Sequence, residues 1–239
     1  AIGPLLNVAP LTQSQATEAA LKRAAAPLVL HVATHGFFLP DQKQEAAAES
    51  RNLGLGADAA AGGSRFENPL LRSGIALAGA NTRQGGAGED GVLTALEAAG
   101  LDLWGTKLVV LSACETGVGQ VENGEGVYGL RRALVLAGAE SQVMSLWQVS
   151  DDATRDLMIG YYRRLQAGEG RTEALRQVQL EMLKGGAAAT KQPAPPARTG
   201  GLSGALGVKQ IDRSHPYFWA AFIQSGDWRP MSAPPAVAK

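Results

Sequence analysis

The sequence predicts an α/β fold in which a mostly parallel β-sheet is covered by helices on both faces. Apolar runs of strand length alternate along the chain with segments of helical periodicity, and this alternation is typical of parallel sheets. The chain has 239 residues, which is enough for one large domain. We therefore expect a single domain over residues 1–229.

Each strand and helix is predicted from its own pattern of apolar and boundary residues. Five apolar runs predict strands near residues 28–33, 74–78, 107–111, 141–146 and 217–224. Helical periodicity predicts helices near residues 14–25, 94–99, 126–137, 151–165 and 172–183. Thr94 and either Asp151 or Asp152 are residue types that begin helices, and Gly138 and Gly168 are types that end them.

Two internal segments lack apolar periodicity. Residues 40–66 are rich in alanine, glycine and charge, and residues 185–209 are rich in alanine, glycine and proline, so both are expected to be mobile surface loops. Residues 230–239 are expected to form a disordered tail. Because the chain begins at Ala1 rather than with methionine, we expect it to be the C-terminal part of a longer protein.

The composition argues against several classes of protein. Lysine plus arginine equals aspartate plus glutamate at 22 each, so the charge gives no sign of a nucleic-acid partner or an anionic membrane. The sequence has no apolar run of about 18 residues and no basic-then-apolar start of a signal peptide. Its one cysteine cannot form an internal disulfide, so a reducing, cytoplasmic location is expected.

A histidine and that cysteine follow two apolar runs of the predicted sheet. His35 follows the run at 28–33, and Cys114 follows the run at 107–111. The carboxyl ends of parallel strands meet at one edge of a sheet, where binding sites form. An imidazole beside a thiol favours the nucleophilic thiolate and can protonate a leaving group. Gly36 allows a carbonyl to approach, and the N–H groups of Gly36 and Cys114 could stabilise an oxyanion.

Each of these residues also has a structural interpretation. A lone cysteine such as Cys114 is often buried and inert, and a histidine at a strand end often serves a turn. His31 lies inside the first predicted strand and is interpreted as a packed or hydrogen-bonded core histidine. His215 precedes a proline and is expected to be structural. The matching context of His35 and Cys114 favours the catalytic interpretation for that pair.

Other motifs are weaker. Glycines at 117, 119, 124 and 126 lie between a strand and a helix, but no GxGxxG or GxxxxGK[ST] motif is present, so nucleotide binding has little support. Three scattered histidines and one cysteine form no ligand spacing, and no metal or other cofactor is expected.

Several sequence blocks resemble the CHAT domain family, a caspase-like group of clan CD cysteine peptidases related to separase. They occur in order over residues 14–228, apart from the two predicted loops. The matching blocks are residues 33–36 (ATHG), 67–81 (ENPLLRSGIALAGAN), 91–95 (GVLTA), 111–117 (LSACETG), 124–130 (GEGVYGL), 145–151 (SLWQVSD), 215–222 (HPYFWAAF) and 226–228 (GDW).

The resemblance implies a caspase-like α/β/α sandwich and a cysteine endopeptidase that acts on a protein substrate without a cofactor. His35 would be the general base and acid and Cys114 the nucleophile, with a thioester intermediate and no third carboxylate. Gly36 and Cys114 would supply the oxyanion donors. Asp151, Trp147 and Glu115 are the candidate substrate-binding residues.

The resemblance also implies a substrate preference and a biological context. Asp151 follows a strand expected to neighbour the Cys114 strand, and acidic residues hold arginine in separase, so a basic residue is expected before the cleaved bond. A helix-capping role is the alternative for Asp151. Family members are often bacterial and lie downstream of TPR or other sensor domains, so we expect an upstream domain or partner to activate the chain.

Three hypotheses remain open from the sequence. The first is the cysteine endopeptidase. The second is a catalytically weak CHAT-type module that binds protein partners, which the intact His35 and Cys114 disfavour. The third is a different α/β enzyme, such as a nucleotide-using or acyl-transfer enzyme, which the missing phosphate-binding motifs disfavour.

Overall fold

The computed structural model describes residues 2–39, 68–86, 88–115, 125–147, 150–185 and 213–231, and for residues 38, 69, 113–115 and 125–128 the backbone alone. Its strands are β1 Val29–Phe38, β2 Ser73–Ala76, β3 Val92–Thr94, β4 Leu108–Glu115, β5 Ser141–Ser145 and β6 Phe222–Gly226. Its α-helices are α1 Ile2–Leu6, α2 Glu18–Lys22, α3 Ala95–Ala98, α4 Glu125–Leu136, α5 Asp151–Gln166 and α6 Arg171–Leu183.

The six strands form one open sheet in the order β3-β2-β1-β4-β5-β6. The central strands β1, β4 and β5 are parallel, whereas β2 and β6 run antiparallel to their neighbours. The predicted α/β fold with a sheet that is parallel at its centre is confirmed. The directions of β2 and β6 depend on how the chain connects them to their neighbours. The pattern of apolar residues does not reveal these directions.

Helices cover both faces of the sheet, which gives the α/β/α sandwich. Alternate residues of β4 point to opposite faces: Leu108 and Val110 pack on one side, and Val109 and Leu111 on the other. We call the first side the α5 face, because α1, α5 and α6 cover it, and the second the α4 face, because α2, α3 and α4 cover it. A strand buried on both faces explains the continuous apolar run.

Several boundaries differ from the sequence prediction. Strand β1 continues beyond Ala33 to Phe38 because β2 pairs with its last four residues. Strand β6 begins only at Phe222, because Pro216 starts a short 3₁₀ turn where the aromatic residues had predicted a strand. The short elements α1 and β3 were not predicted. Part of the predicted first helix is a 3₁₀ turn, which leaves α2 with five residues.

The helix boundary signals are partly confirmed. Thr94 caps α3 and forms a reciprocal capping box with Glu97. Gly138 and Gly168 have φ values of 103° and 86°, which suit glycine after a helix. The N-cap of α5 is Ser150, so the expectation that Asp151 or Asp152 caps this helix was wrong.

The expected mobile loops and tail fall mainly on residues that the structure does not describe. Residues 40–66, 186–209 and 232–239 lie outside the described ranges. Met231 is described and packs against the core cluster of the α5 face.

Candidate functional site

His35 and Cys114 lie opposite each other on neighbouring parallel strands. In the register of β1 and β4, His35 pairs with Cys114 and Gly36 pairs with Glu115, the last residue of β4. Neighbouring strands are about 4.8 Å apart, so the two backbones are close at the carboxyl end of the sheet. The sequence therefore predicted correctly that these two positions meet.

Alternation along the strands assigns the two positions to the α5 face. His31, four residues before His35, contacts Tyr162 of α5, and Leu108 and Val110 of β4 pack on the same side. Because every second residue shares a face, His35 and Cys114 both belong to this face. Gly36 and Glu115 occupy positions on the opposite, α4 face.

The end of β1 is open on the α5 face. The side chains of Ala33 and His35 are exposed, and Phe37 is half-buried. On the α4 face, the Thr34 hydroxyl donates a hydrogen bond to the carbonyl oxygen of Ala76, which is the residue paired with His35. This bond fixes the end of β1 to β2 and leaves the imidazole position accessible to a ligand.

The backbone N–H of Gly36 points toward the cysteine strand. The Leu39 N–H donates to the Arg72 carbonyl oxygen at 2.7 Å, which continues the antiparallel pairing of β1 with β2. N–H groups alternate in direction along a strand, so the N–H of His35 also faces β2. The N–H of Gly36 therefore faces β4, on the side of Cys114.

Trp147 follows β5 at the same edge of the sheet. Leu111 pairs with Met144 in the parallel register of β4 and β5. Trp147 lies two residues beyond the end of β5 at Ser145. Its indole Nε1–H donates to the Tyr217 carbonyl oxygen at 3.2 Å, and about a third of its surface is exposed.

An open groove lies beside Trp147. It has a volume of about 540 Å³, and its lining residues are Trp147, His215, Pro216 and Tyr217. His215 Nδ1 accepts a hydrogen bond from the Tyr217 N–H at 3.2 Å and caps the 3₁₀ turn Pro216–Phe218, so it has the structural role that the sequence predicted. The groove itself was not predicted, because its two walls are far apart in sequence.

Two carboxylates occupy the first turn of α5. This helix begins soon after β5 ends and returns along the sheet, so Asp151 and Asp152 lie at the carboxyl edge of the strands. Both are exposed. Asp152 forms an ion pair with Arg155 at 2.9 Å, whereas within the described ranges Asp151 makes no ion pair.

The family model of the CHAT domain matches residues 1–227 of the chain. The chain belongs to the CHAT domain family. This family is caspase-like and related to cysteine peptidases, which agrees with the observed α/β/α sandwich. A search of curated proteins gives no match. Among the helices that the structure describes, none has the length and apolar character needed to span a membrane.

His31 of the CHAT domain is a core residue. Its Nδ1 lies 2.7 Å from the Tyr162 hydroxyl group, and the two rings are in tilted contact. Burial lowers the pKa of His31 to about 4. The interpretation of His31 as a hydrogen-bonded core histidine is confirmed, and its imidazole is neutral at physiological pH.

The half-buried His31 is expected to make the CHAT domain sensitive to acid. An unfolded chain protonates this histidine near pH 6.5, whereas the folded protein protonates it only near pH 4, so stability falls as the pH drops through this window. The loss attributable to His31 should reach about 3 kcal/mol. Urea unfolding at several pH values should show a flatter pH dependence for His31→Gln. His215→Asn, which retains a capping side chain, should keep the wild-type dependence, and an unchanged slope in His31→Gln would contradict the prediction.

A group of carboxylates in the CHAT domain surrounds a lysine. Glu18, Glu89 and Glu97 have oxygens within 4.8 Å of one another, which is close enough to share a metal ion. The Lys22 ammonium already lies among them, at 2.8, 2.8 and 3.0 Å. Buried Glu18 also accepts a hydrogen bond from the Gly91 N–H. This cluster therefore ties α2 to the segments around β3 and α3.

Proposed function

We propose that this CHAT domain is a cysteine endopeptidase in which His35 and Cys114 form the catalytic dyad. The observation that carries the proposal is the strand register, in which the two residues pair at the open carboxyl edge of the sheet. Family membership supports it, since CHAT domains are related to cysteine peptidases. The exposed position of His35 also suits a group that must reach a substrate.

The proposed reaction has two half-reactions. His35 takes the proton of the Cys114 thiol, and the thiolate attacks the carbonyl carbon of the peptide bond. The C–N bond breaks as His35 protonates the leaving amine, which leaves a thioester. Water then attacks this thioester, His35 accepts the water proton, and the thiol is restored when the C–S bond breaks.

Backbone N–H groups would stabilise the oxyanion that forms in each half-reaction. The N–H of Gly36 faces β4, toward the position of the nucleophile, which suits a donor to an oxyanion at Cys114. The N–H of Cys114 is the second proposed donor. Removing one donor of this kind typically lowers kcat by about 10²- to 10³-fold.

Asp151 is the proposed recognition residue for a basic side chain at P1, the residue before the cleaved bond. Its carboxylate has no ion pair within the described part of the chain, and it lies at the edge of the sheet that carries the dyad. A guanidinium could bind it through charge-assisted hydrogen bonds. Trp147 and its groove are proposed to hold residues further along the acyl side. Glu115, at a position on the opposite face, is left out of the proposed pocket.

Digestion of a peptide library tests the proposed function. We expect products with new amino termini, cleaved mainly after arginine or lysine, and mass spectrometry would identify them. Cys114→Ala is the control that must give no products. A library left intact after incubation with the wild-type full-length protein would instead favour the protein-binding hypothesis.

We also propose that an upstream sensor domain or partner raises the activity of this domain. The proposal rests on the resemblance to CHAT proteins. Most of the glycine-rich segment after Cys114, residues 116–124, lies outside the described residues. Turnover of a reporter peptide by this chain alone should be lower than turnover by the full-length protein with its activating ligand. Equal and high turnover in both cases would rule out this form of regulation.

A further inference from the structure

Phe37 presents an aromatic ring beside the proposed dyad. It lies two residues beyond His35 on β1, on the same α5 face, and pairs with Gly74 of β2. A Cβ at Gly74 would lie 2.7 Å from Cζ of Phe37, so the absence of a side chain there allows the ring to lie against β2. The ring of Phe37 therefore occupies space that a side chain at position 74 would fill.

The ring of Phe37 contributes to neither hydrophobic core cluster of the described residues. Val29, Leu30 and Val32, earlier on the same strand, pack against one or the other of these clusters, whereas Phe37 belongs to neither and is only half-buried. A side chain that packs on the sheet at its open edge, outside the core, leaves apolar surface for a ligand.

The order of the strands gives the direction of a bound peptide. The acyl part of a substrate stays on Cys114 of β4, whereas the leaving amine receives its proton from His35 of β1. The leaving group therefore extends from β4 across β1 toward β2. The acyl part extends the other way, toward β5 and the Trp147 groove.

We propose that Phe37 is a specificity-determining residue that binds the side chain at P1′, the first residue after the cleaved bond. The inference rests on the proposed peptidase function. An apolar P1′ side chain would cover the exposed part of the ring and remove apolar surface from water. A glycine or a charged residue at P1′ would gain no such contact.

Acyl transfer to an added amine isolates the P1′ side from the acyl side. When an amino-acid amide attacks the thioester, a C–N bond forms, the C–S bond breaks, and the amine proton passes through His35 to the cysteine sulfur. The amide occupies the leaving-group side, so the ratio of transfer product to hydrolysis product reports on the P1′ site. Because the same acyl-enzyme forms in each reaction, P1 recognition cancels in this ratio.

The experiment compares leucinamide with glycinamide in the activated full-length protein. Wild-type protein should transfer to leucinamide about tenfold more efficiently than to glycinamide. Phe37→Ala should lose most of this preference, and Phe37→Leu should retain much of it. Tyr217→Ala, which alters the groove on the acyl side, is the matched control and should keep the full preference.

The outcomes separate the two proposals. Hydrolysis with an unchanged leucinamide preference in Phe37→Ala would overturn the role of Phe37 and leave the peptidase function intact. A preference that is lost equally in Tyr217→Ala would also overturn it, since the effect would not be specific to the leaving-group side. A wild-type protein that forms neither product would overturn the peptidase function, and the P1′ site with it.

Discussion

Replacing Cys114 or His35 with alanine is expected to abolish peptide cleavage. Each single variant should lower kcat by a factor on the order of 10⁴ or more, and the double variant should be no worse, because a nucleophile and its base act as one unit. The exposed position of His35 predicts that His35→Ala melts close to the wild-type temperature. Kinetics with a reporter peptide would measure the loss of kcat, and thermal melting would measure the stability of each variant.

The matched control for the nucleophile is Ser112→Ala. Ser112 lies two residues earlier on β4, at a position of the same face, and its replacement should leave turnover within a few-fold of wild type. The chain contains one cysteine, so alkylation reports on Cys114 alone. Alkylation should slow in His35→Ala at neutral pH as the thiolate fraction falls. Wild-type cleavage by Cys114→Ala would end the peptidase hypothesis.

The second large effect is expected at Asp151. Asp151→Asn keeps the size of the side chain and removes its charge, so kcat/KM for substrates with arginine at P1 should fall by about 10- to 100-fold, as for loss of a charge-assisted hydrogen bond. Stability should fall by about 0.3–1 kcal/mol, because one acidic side chain is lost from the first turn of α5.

Asp152→Asn separates recognition from helix stability. Asp152 lies in the same first turn of α5 and pairs with Arg155, so its loss should lower the melting temperature at least as much as Asp151→Asn does. It should leave the arginine preference unchanged. Equal loss of kcat/KM in the two variants, or a library cleaved mainly after aspartate or aliphatic residues, would rule out the proposed role of Asp151.

The central strands were predictable from sequence because their apolar residues pack against clusters on both faces of the sheet. The apolar runs that end near Ala33 and Leu111 mark β1 and β4, and their ends correctly predicted that His35 and Cys114 meet. The register itself depends on pairing between distant segments, which no local pattern encodes. The antiparallel pairing of β2 with the end of β1 was missed for the same reason, so His35 was expected after the strand and lies within it.

Short elements, and contacts between segments that are distant in sequence, were not predicted correctly. Strand β3 has three residues, which is too few for a clear apolar alternation. The aromatic residues Tyr217 and Phe218 predicted a strand, but Pro216 and the capping side chain of His215 produce a 3₁₀ turn. The groove forms where that turn contacts Trp147. The two segments are far apart in sequence, and no local pattern in either one predicts this contact.

The strand order also constrains when the proposed activity can arise. Among the described strands, β1, β2 and β3 pair with their neighbours along the chain, and so do β4, β5 and β6. Within the sheet, the pairing of β1 with β4 is the connection between these two sets of described strands, and His35 and Cys114 lie on opposite sides of it. Long-range pairing has a high entropic cost and forms slowly. A polypeptide still being synthesised would carry the histidine without its partner, so the proposed protease becomes active only after both halves have docked.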